Sequence, residues 1–123
     1  MTIAEVSAKY GMPEDTLRYY ERIGLLPPVH RKKGGIRDYQ EEDCAWVEFV
    51  HCMRNAGLSI EVLIEYLRLF QQGESTVSTR KDLLIEQRDL LRQKIDMMQT
   101  TLARLDFKIE NYSTIGRGIE KKL

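Results

Sequence analysis

From about Thr76 onward the sequence carries a repeat that few folds can absorb. Leu84, Leu91, Met98, Leu105 and Tyr112 recur every seven residues, Ile95, Leu102 and Ile109 fill the interleaved position, and Arg88 is the one charged exception. This 4-3 alternation is the seam of a coiled coil, and about four heptads of it make a helix roughly 50 Å long. That is more apolar edge than a small head can cover, so the pattern requires a partner helix. The chain offers no internal helix of that length, and a homodimeric coiled coil is the economical solution. A helix packed back on its own head is the competing arrangement.

The 123 residues (14.4 kDa) leave room for one compact head beside that helix, and 42% hydrophobic with 31% charged residues is ordinary for a helix-rich soluble protein. A large enzyme is not expected. No apolar run approaches the roughly 18 residues needed to span a bilayer, and the N-terminus lacks a basic-then-apolar signal profile. A cytoplasmic protein without membrane contact is therefore expected. Cys44 and Cys52 should be reduced thiols. On one helix they stand about 12 Å apart along the axis, too far for a disulfide. The pattern divides the chain into a head over 1–73, a coiled-coil helix over 74–112 and a short tail over 113–123.

Within the head, Thr2-Ile3-Ala4-Glu5 is a capping box that starts a helix, with Ile3, Val6 and Tyr10 as its apolar stripe and Gly11 as a left-handed stop. Pro13 suits the first turn of a second helix, which runs to another glycine stop at Gly24. Two short helices about a tight turn make a helix-turn-helix, whose second helix enters the major groove. A plain helical hairpin has the same outline. The second helix carries Thr16-Leu17-Arg18-Tyr19-Tyr20-Glu21-Arg22-Ile23, in which Arg18 and Arg22 project from one face beside two phenols while Leu17 and Ile23 anchor it. Such a surface suits phosphates.

Net charge misleads here. Nineteen cations balance nineteen anions, yet from Thr16 to Tyr39 the cations Arg18, Arg22, Arg31, Lys32, Lys33 and Arg37 face only Glu21 and Asp38. Pro27-Pro28 bars helix, and Lys33-Gly34-Gly35-Ile36-Arg37 is a glycine turn with β-capable flanks, read as a short hairpin or wing. In most proteins this would be a solvated charge run; directly after a helix-turn-helix that reading loses ground. A third helix is expected from Glu41 to Asn55, buried through Ala45-Trp46, Phe49-Val50 and Met53. Ser59 caps a fourth, Ile60 to about Gln72, with Ile60, Leu63, Ile64, Leu67 and Phe70 at helical spacing.

Thr16-Leu17-Arg18-Tyr19-Tyr20-Glu21 followed by Gly24-Leu25-Leu26, then Gly35-Ile36-Arg37-Asp38-Tyr39, then Ala56-Gly57-Leu58-Ser59, together resemble the signature of the MerR family of bacterial transcription regulators. The resemblance implies a mostly α fold: a winged helix-turn-helix head, a second helix pair, and a long C-terminal helix forming an antiparallel dimeric coiled coil. It further implies a dimer that binds double-stranded promoter DNA and distorts it so that RNA polymerase can engage both recognition elements. Arg18, Tyr19, Tyr20 and Arg22 would meet the major groove and its phosphates. The wing, with Arg31, Lys33, Arg37 and Tyr39, would touch the backbone, and Arg54 would reach a further phosphate. Ile36 and Asp38 depart from the family pattern, where an aromatic and a neutral residue are common.

Metal-sensing relatives place cysteines at the start of the long helix and in a loop after it. Here Ser78 and Thr79 open the helix and Ser113 to Leu123 holds no Cys or His, so no metal site of that type is expected. The large C-terminal domain of drug-sensing relatives is not expected either. The segments from His51 to Gly57 and Phe70 to Thr76 resemble the NmlR/AdhR-like subgroup, associated with reactive aldehydes and electrophiles. Cys52, beside His51 and Arg54, is then a candidate sensing thiol, open to alkylation or oxidation if cations lower its pKa; a small buried hydrophobe is the plain alternative. Cys44 reads as structural. A coiled-coil interaction adaptor without specific DNA binding is the second functional class. An enzyme is a distant third, because no paired carboxylates, phosphate loop or oriented nucleophile stand out and no cofactor is implied.

Overall fold

A computed structural model describes residues 1–112; the tail expected over 113–123 lies outside them. By compactness the chain forms two units, Met1–Leu84 and a second starting at Ile85. The first contains α1 (Ile3–Tyr10), α2 (Glu14–Arg22), α3 (Glu41–Asn55), α4 (Ile60–Gln72), a 3-10 turn (Glu74–Thr76) and the opening turns of α5 (Val77–Asn111).

The local signals of the sequence act as chemistry requires. At α1 the Thr2 hydroxyl accepts the Glu5 amide at 3.1 Å while the Glu5 carboxylate accepts the Thr2 amide at 2.9 Å. Gly11 then leaves the helix at φ 65°, ψ 35°, returning its own amide to the Ser7 carbonyl. Pro13 sits one residue earlier than expected, as the cap of α2 rather than in its first turn. Ser59 caps α4 by accepting the Val62 amide at 3.2 Å.

Val6 of α1, Leu17 of α2, Val47 and Val50 of α3 and Leu63 of α4 converge with Met12, Leu25, Leu26, Val29 and Leu58 into one core. Each such side chain taken fully from water contributes about 1.5–3 kcal/mol. The stripe on α3 differs from the expected one. Cys44, Val47 and Val50 point inward, Ala45 is exposed, and Trp46, Phe49 and Met53 are partly buried at the margin. The bulky rings stand at the edge because they pack on each other: Trp46 meets Phe49 edge-on at 6.0 Å and Phe70 at 5.0 Å, and Phe49 lies 5.4 Å from Tyr66. Phe70 is accordingly half-exposed, and its neighbour Leu69 is the buried residue at the end of α4.

The wing is reduced relative to expectation. Among the described residues there is no strand, only one antiparallel bridge between Arg31 and Arg37. Gly34 and Gly35 turn the chain at φ 90° and 84°. Around them the Lys32 amide bonds Ile36 O at 2.8 Å, the Gly35 amide bonds Lys32 O at 3.0 Å and the Asp38 amide bonds His30 O at 2.7 Å. Beyond the bridge the Val29 amide goes to the Glu21 carboxylate and the Tyr39 amide to Met1 O, so no longer ladder forms.

Gly73 breaks the chain before the 3-10 turn, where the Thr76 hydroxyl donates to Leu69 O at 2.7 Å and Arg80 Nε donates back to that hydroxyl at 3.0 Å. These bonds account for the opening turns of α5 counting with the first unit. In the second unit the described residues are helix as far as Asn111. α5 buries none of its residues, and Ile95, Met98, Leu102, Leu105 and Ile109 of the heptad seam are exposed, Met98 and Ile109 at 70%.

Candidate nucleic-acid interface

α2 is positioned by Leu17, wholly buried, and by the two hydrogen bonds that close its C-terminus, from the Leu25 amide (2.8 Å) and the Leu26 amide (3.1 Å) to Tyr20 O. With that edge fixed, Arg18, Tyr19 and Arg22 lie on the outside. Arg18 is held by two carboxylates one turn back, Nη1 on Asp15 at 2.9 Å and Nη2 on Glu14 at 3.3 Å. Its side chain is 42% exposed and Asp15 is 98% exposed, so these are surface pairs of about 0–1 kcal/mol that an incoming phosphate can displace. The Arg22 guanidinium stacks over the Tyr19 ring at 5.3 Å. Tyr20, by contrast, packs partly against the core, 6.2 Å from Tyr19.

The wing cations do not extend freely into solvent. Glu21, only 12% exposed, collects Arg37 Nε at 2.8 Å, Arg31 Nη2 at 3.5 Å and the Val29 amide at 2.8 Å. Arg31 also donates to Gly35 O at 2.9 Å across the turn. The result ties the wing to the C-terminal end of α2 and leaves the Arg37 terminal nitrogens as donors. Lys33 is exposed. Tyr39, expected on the wing surface against the DNA backbone, lies instead in the core at 2% exposure, because its main chain pairs with Met1 (Tyr39 amide to Met1 O, 2.7 Å) and draws the ring inward. Burial pushes its phenol pKa up, and the hydroxyl is buried without a hydrogen-bond partner.

Below the wing, Asp43 is buried near the start of α3 and accepts from the Gln40 amide at 2.8 Å and from His30, whose Nδ1 lies at 2.8 Å and whose amide lies at 3.4 Å. That bond, with the Asp43 charge, raises the His30 pKa above its ordinary 6.5. Arg54 donates Nη1 to Leu58 O at 2.7 Å, closing the C-terminal end of α3, and its Nε is buried without a partner. Cys52 is exposed and Cys44 is buried, with Sγ 3.9 Å from the Met1 sulfur. The neighbours Cys52 has in sequence are engaged elsewhere, Arg54 with Leu58 and His51 with Asn55 at 3.4 Å.

Sequence reasoning located the cations and missed what organises them. Glu21 and Asp43 read as minor acids in a basic stretch and a first helical turn; apart from Gln40 beside Asp43, their partners lie 8 to 16 residues away, a separation at which no periodic signal exists. Among the described residues no group of three or more His, Cys, Asp or Glu is placed to hold a metal ion, and no helix is long and apolar enough to cross a membrane.

Residues 1–69 match the family model described as MerR HTH family regulatory protein, and residues 44–106 match one described as MerR, DNA binding. The chain belongs to the MerR family. Among MerR relatives, the transcriptional regulator AdhR of Bacillus subtilis (strain 168) is 59% identical over 91 residues, 74% of this chain and 65% of that protein's length. A crystal structure of a MerR family regulator from Listeria monocytogenes superposes with a TM-score of 0.90 at 51% identity, covering 99% of this chain and 92% of that one. HiNmlR, a MerR family regulator lacking the sensor domain and crystallised on promoter DNA, superposes at 0.85 with 28% identity, covering 93% and 90%. These likenesses put the chain in the NmlR/AdhR-like branch of MerR proteins and carry the expected fold class, the reduced wing apart.

Proposed function

We propose that this MerR-family chain is a DNA-binding transcription regulator that acts as a homodimer on promoter DNA. The observation that carries the reading is the match in fold, at a TM-score of 0.85, to a regulator whose structure was determined on a promoter. The surface that would meet the duplex is α2 with its wing. Arg18, Tyr19 and Arg22 reach the groove and its phosphates, Arg31, Lys33 and Arg37 follow the backbone beside it, and Arg54, with Nη1 on Leu58 O and Nε buried, reaches one further phosphate through Nη2. Tyr20 and Tyr39 support that surface from beneath. Two heads joined by the paired α5 helices read a two-fold-related site, and deforming the duplex between half-sites costs a few kcal/mol that these contacts offset. RNA polymerase is then affected through the shape of the promoter, in the cytoplasm and without chemistry by the protein itself. The relatives are named as regulators, which favours this reading over a coiled-coil adaptor.

Cys52 is the sensing group in this reading. It is an exposed thiol, so an aldehyde or oxidant can reach it without unfolding α3.

The test is equilibrium binding to a duplex that the chain selects from a random pool, measured against salt. Affinity should fall steeply as salt rises. Arg18→Ala should cost about 1–3 kcal/mol on the selected duplex if Arg18 reads a base edge. Binding that ignores both salt and this substitution refutes the reading.

A further inference from the structure

Among the described residues, Glu21 is the one acid at the cationic surface whose carboxylate joins α2 to the wing. Its Oε1 takes Arg37 Nε at 2.8 Å and lies 3.5 Å from Arg31 Nη2, while its Oε2 takes the Val29 amide at 2.8 Å. The main chain of the wing supplies a single bridge, so no ladder of strand hydrogen bonds fixes its angle to α2. A negative charge in that place is unfavourable for binding a polyanion, since it neutralises part of the local cation excess. It is also mostly removed from water, at 12% exposure, which adds a desolvation cost that its two hydrogen-bond donors and the Arg31 charge offset.

We infer that Glu21 is a positioning residue for DNA recognition: its carboxylate sets the wing at a fixed angle to α2, giving up affinity for duplex in general to gain discrimination for a matching one. The inference rests on the DNA-binding reading above. Held by Nε at 2.8 Å and only 23% exposed, Arg37 keeps both terminal nitrogens for a phosphate, while Arg31, with Nη1 on Gly35 O and Nη2 3.5 Å from Glu21, is drawn more loosely to the same carboxylate. A wing so constrained accepts one spacing between groove and backbone and rejects others, whereas a loose cationic wing grips any duplex.

Two substitutions separate charge from geometry. Glu21→Gln keeps the length and one acceptor but removes the charge; Glu21→Asp keeps the charge but is one methylene too short to hold both elements. Each is compared with the unsubstituted chain on the selected duplex and on a scrambled duplex of equal length and composition, with thermal melting run in parallel. Glu21→Gln should bind the scrambled duplex about two- to fivefold more tightly, because a cation is uncovered on each head, and the selected one about tenfold more weakly. Glu21→Asp should leave scrambled binding within about twofold and still weaken selected binding about tenfold. Equal changes on both duplexes, or no change on either, overturn the inference, as does loss of the cooperative melting transition in both variants, which would assign Glu21 to folding alone. If the unsubstituted chain shows no salt-dependent duplex binding, the DNA-binding reading fails and the inference fails with it.

Discussion

At the scale of single residues, the head is governed by buried acids holding exposed bases. His30 and Asp43 are the clearest pair for a pH experiment. The bond to Asp43 raises the His30 pKa in the folded chain, helped by the charges of Glu42 and Asp38 and opposed by desolvation. The protonated imidazole therefore stabilises the fold fully below the unfolded value of about 6.5, and this contribution disappears as pH rises through the higher folded value. His30→Gln should lower the melting temperature on the acid side of 6.5 and converge with the unsubstituted chain in alkaline buffer; a gap independent of pH would show that His30 matters only for packing. Cys52 makes a different prediction. Cys52→Ser should leave duplex binding unchanged and remove any response of transcription to aldehydes in a reporter strain, whereas the same response in both forms would move the sensing role elsewhere. Cys44 is too buried to substitute for it.

At the scale of elements, most of the head was legible because its stops and starts are local chemistry. Thr2 with Glu5, Gly11 and Ser59 each act within about one turn of their own position, and the bounds of α1 and the start of α4 follow from them. Less legible were features that depend on which neighbour arrives. The rotation of the α3 stripe toward Cys44 and Val47 follows from Trp46 and Phe49 meeting rings of α4, which a one-helix pattern cannot contain. Tyr39 belongs by sequence to a basic wing and by packing to the core, because its backbone pairs with Met1 at the far end of the head sequence. For the turn between α1 and α2, a test is simple. A Cβ on Gly11 would meet nothing within 4 Å, so the cost of Gly11→Ala is the left-handed backbone alone. Denaturant unfolding should show a loss of about 1–2 kcal/mol, and a neutral result would mean the turn relaxes to another conformation.

At the scale of the whole molecule, the apolar residues of α5 have no covering element among the described residues. Met98, Leu102, Leu105 and Ile109 of the heptad seam stand more than half in water along one helix, the kind of contiguous apolar surface that marks an interaction site. In the proposed dimer they pair with a second copy. Leu102→Glu should give a monomer in sedimentation and reduce affinity for a two-half-site duplex by at least about tenfold, as joined heads bind with an effective local concentration that separate ones lack. The head of that variant should keep its melting transition; a persistent dimer would refute the coiled-coil reading. The pairing of Arg18 with Glu14 and Asp15 has a kinetic corollary. In the proposed reading an unoccupied α2 must give up these pairs to meet any duplex, which trims its hold on every sequence alike and favours quick release wherever no base contact replaces them, so that such a regulator can scan a genome without being titrated away by it.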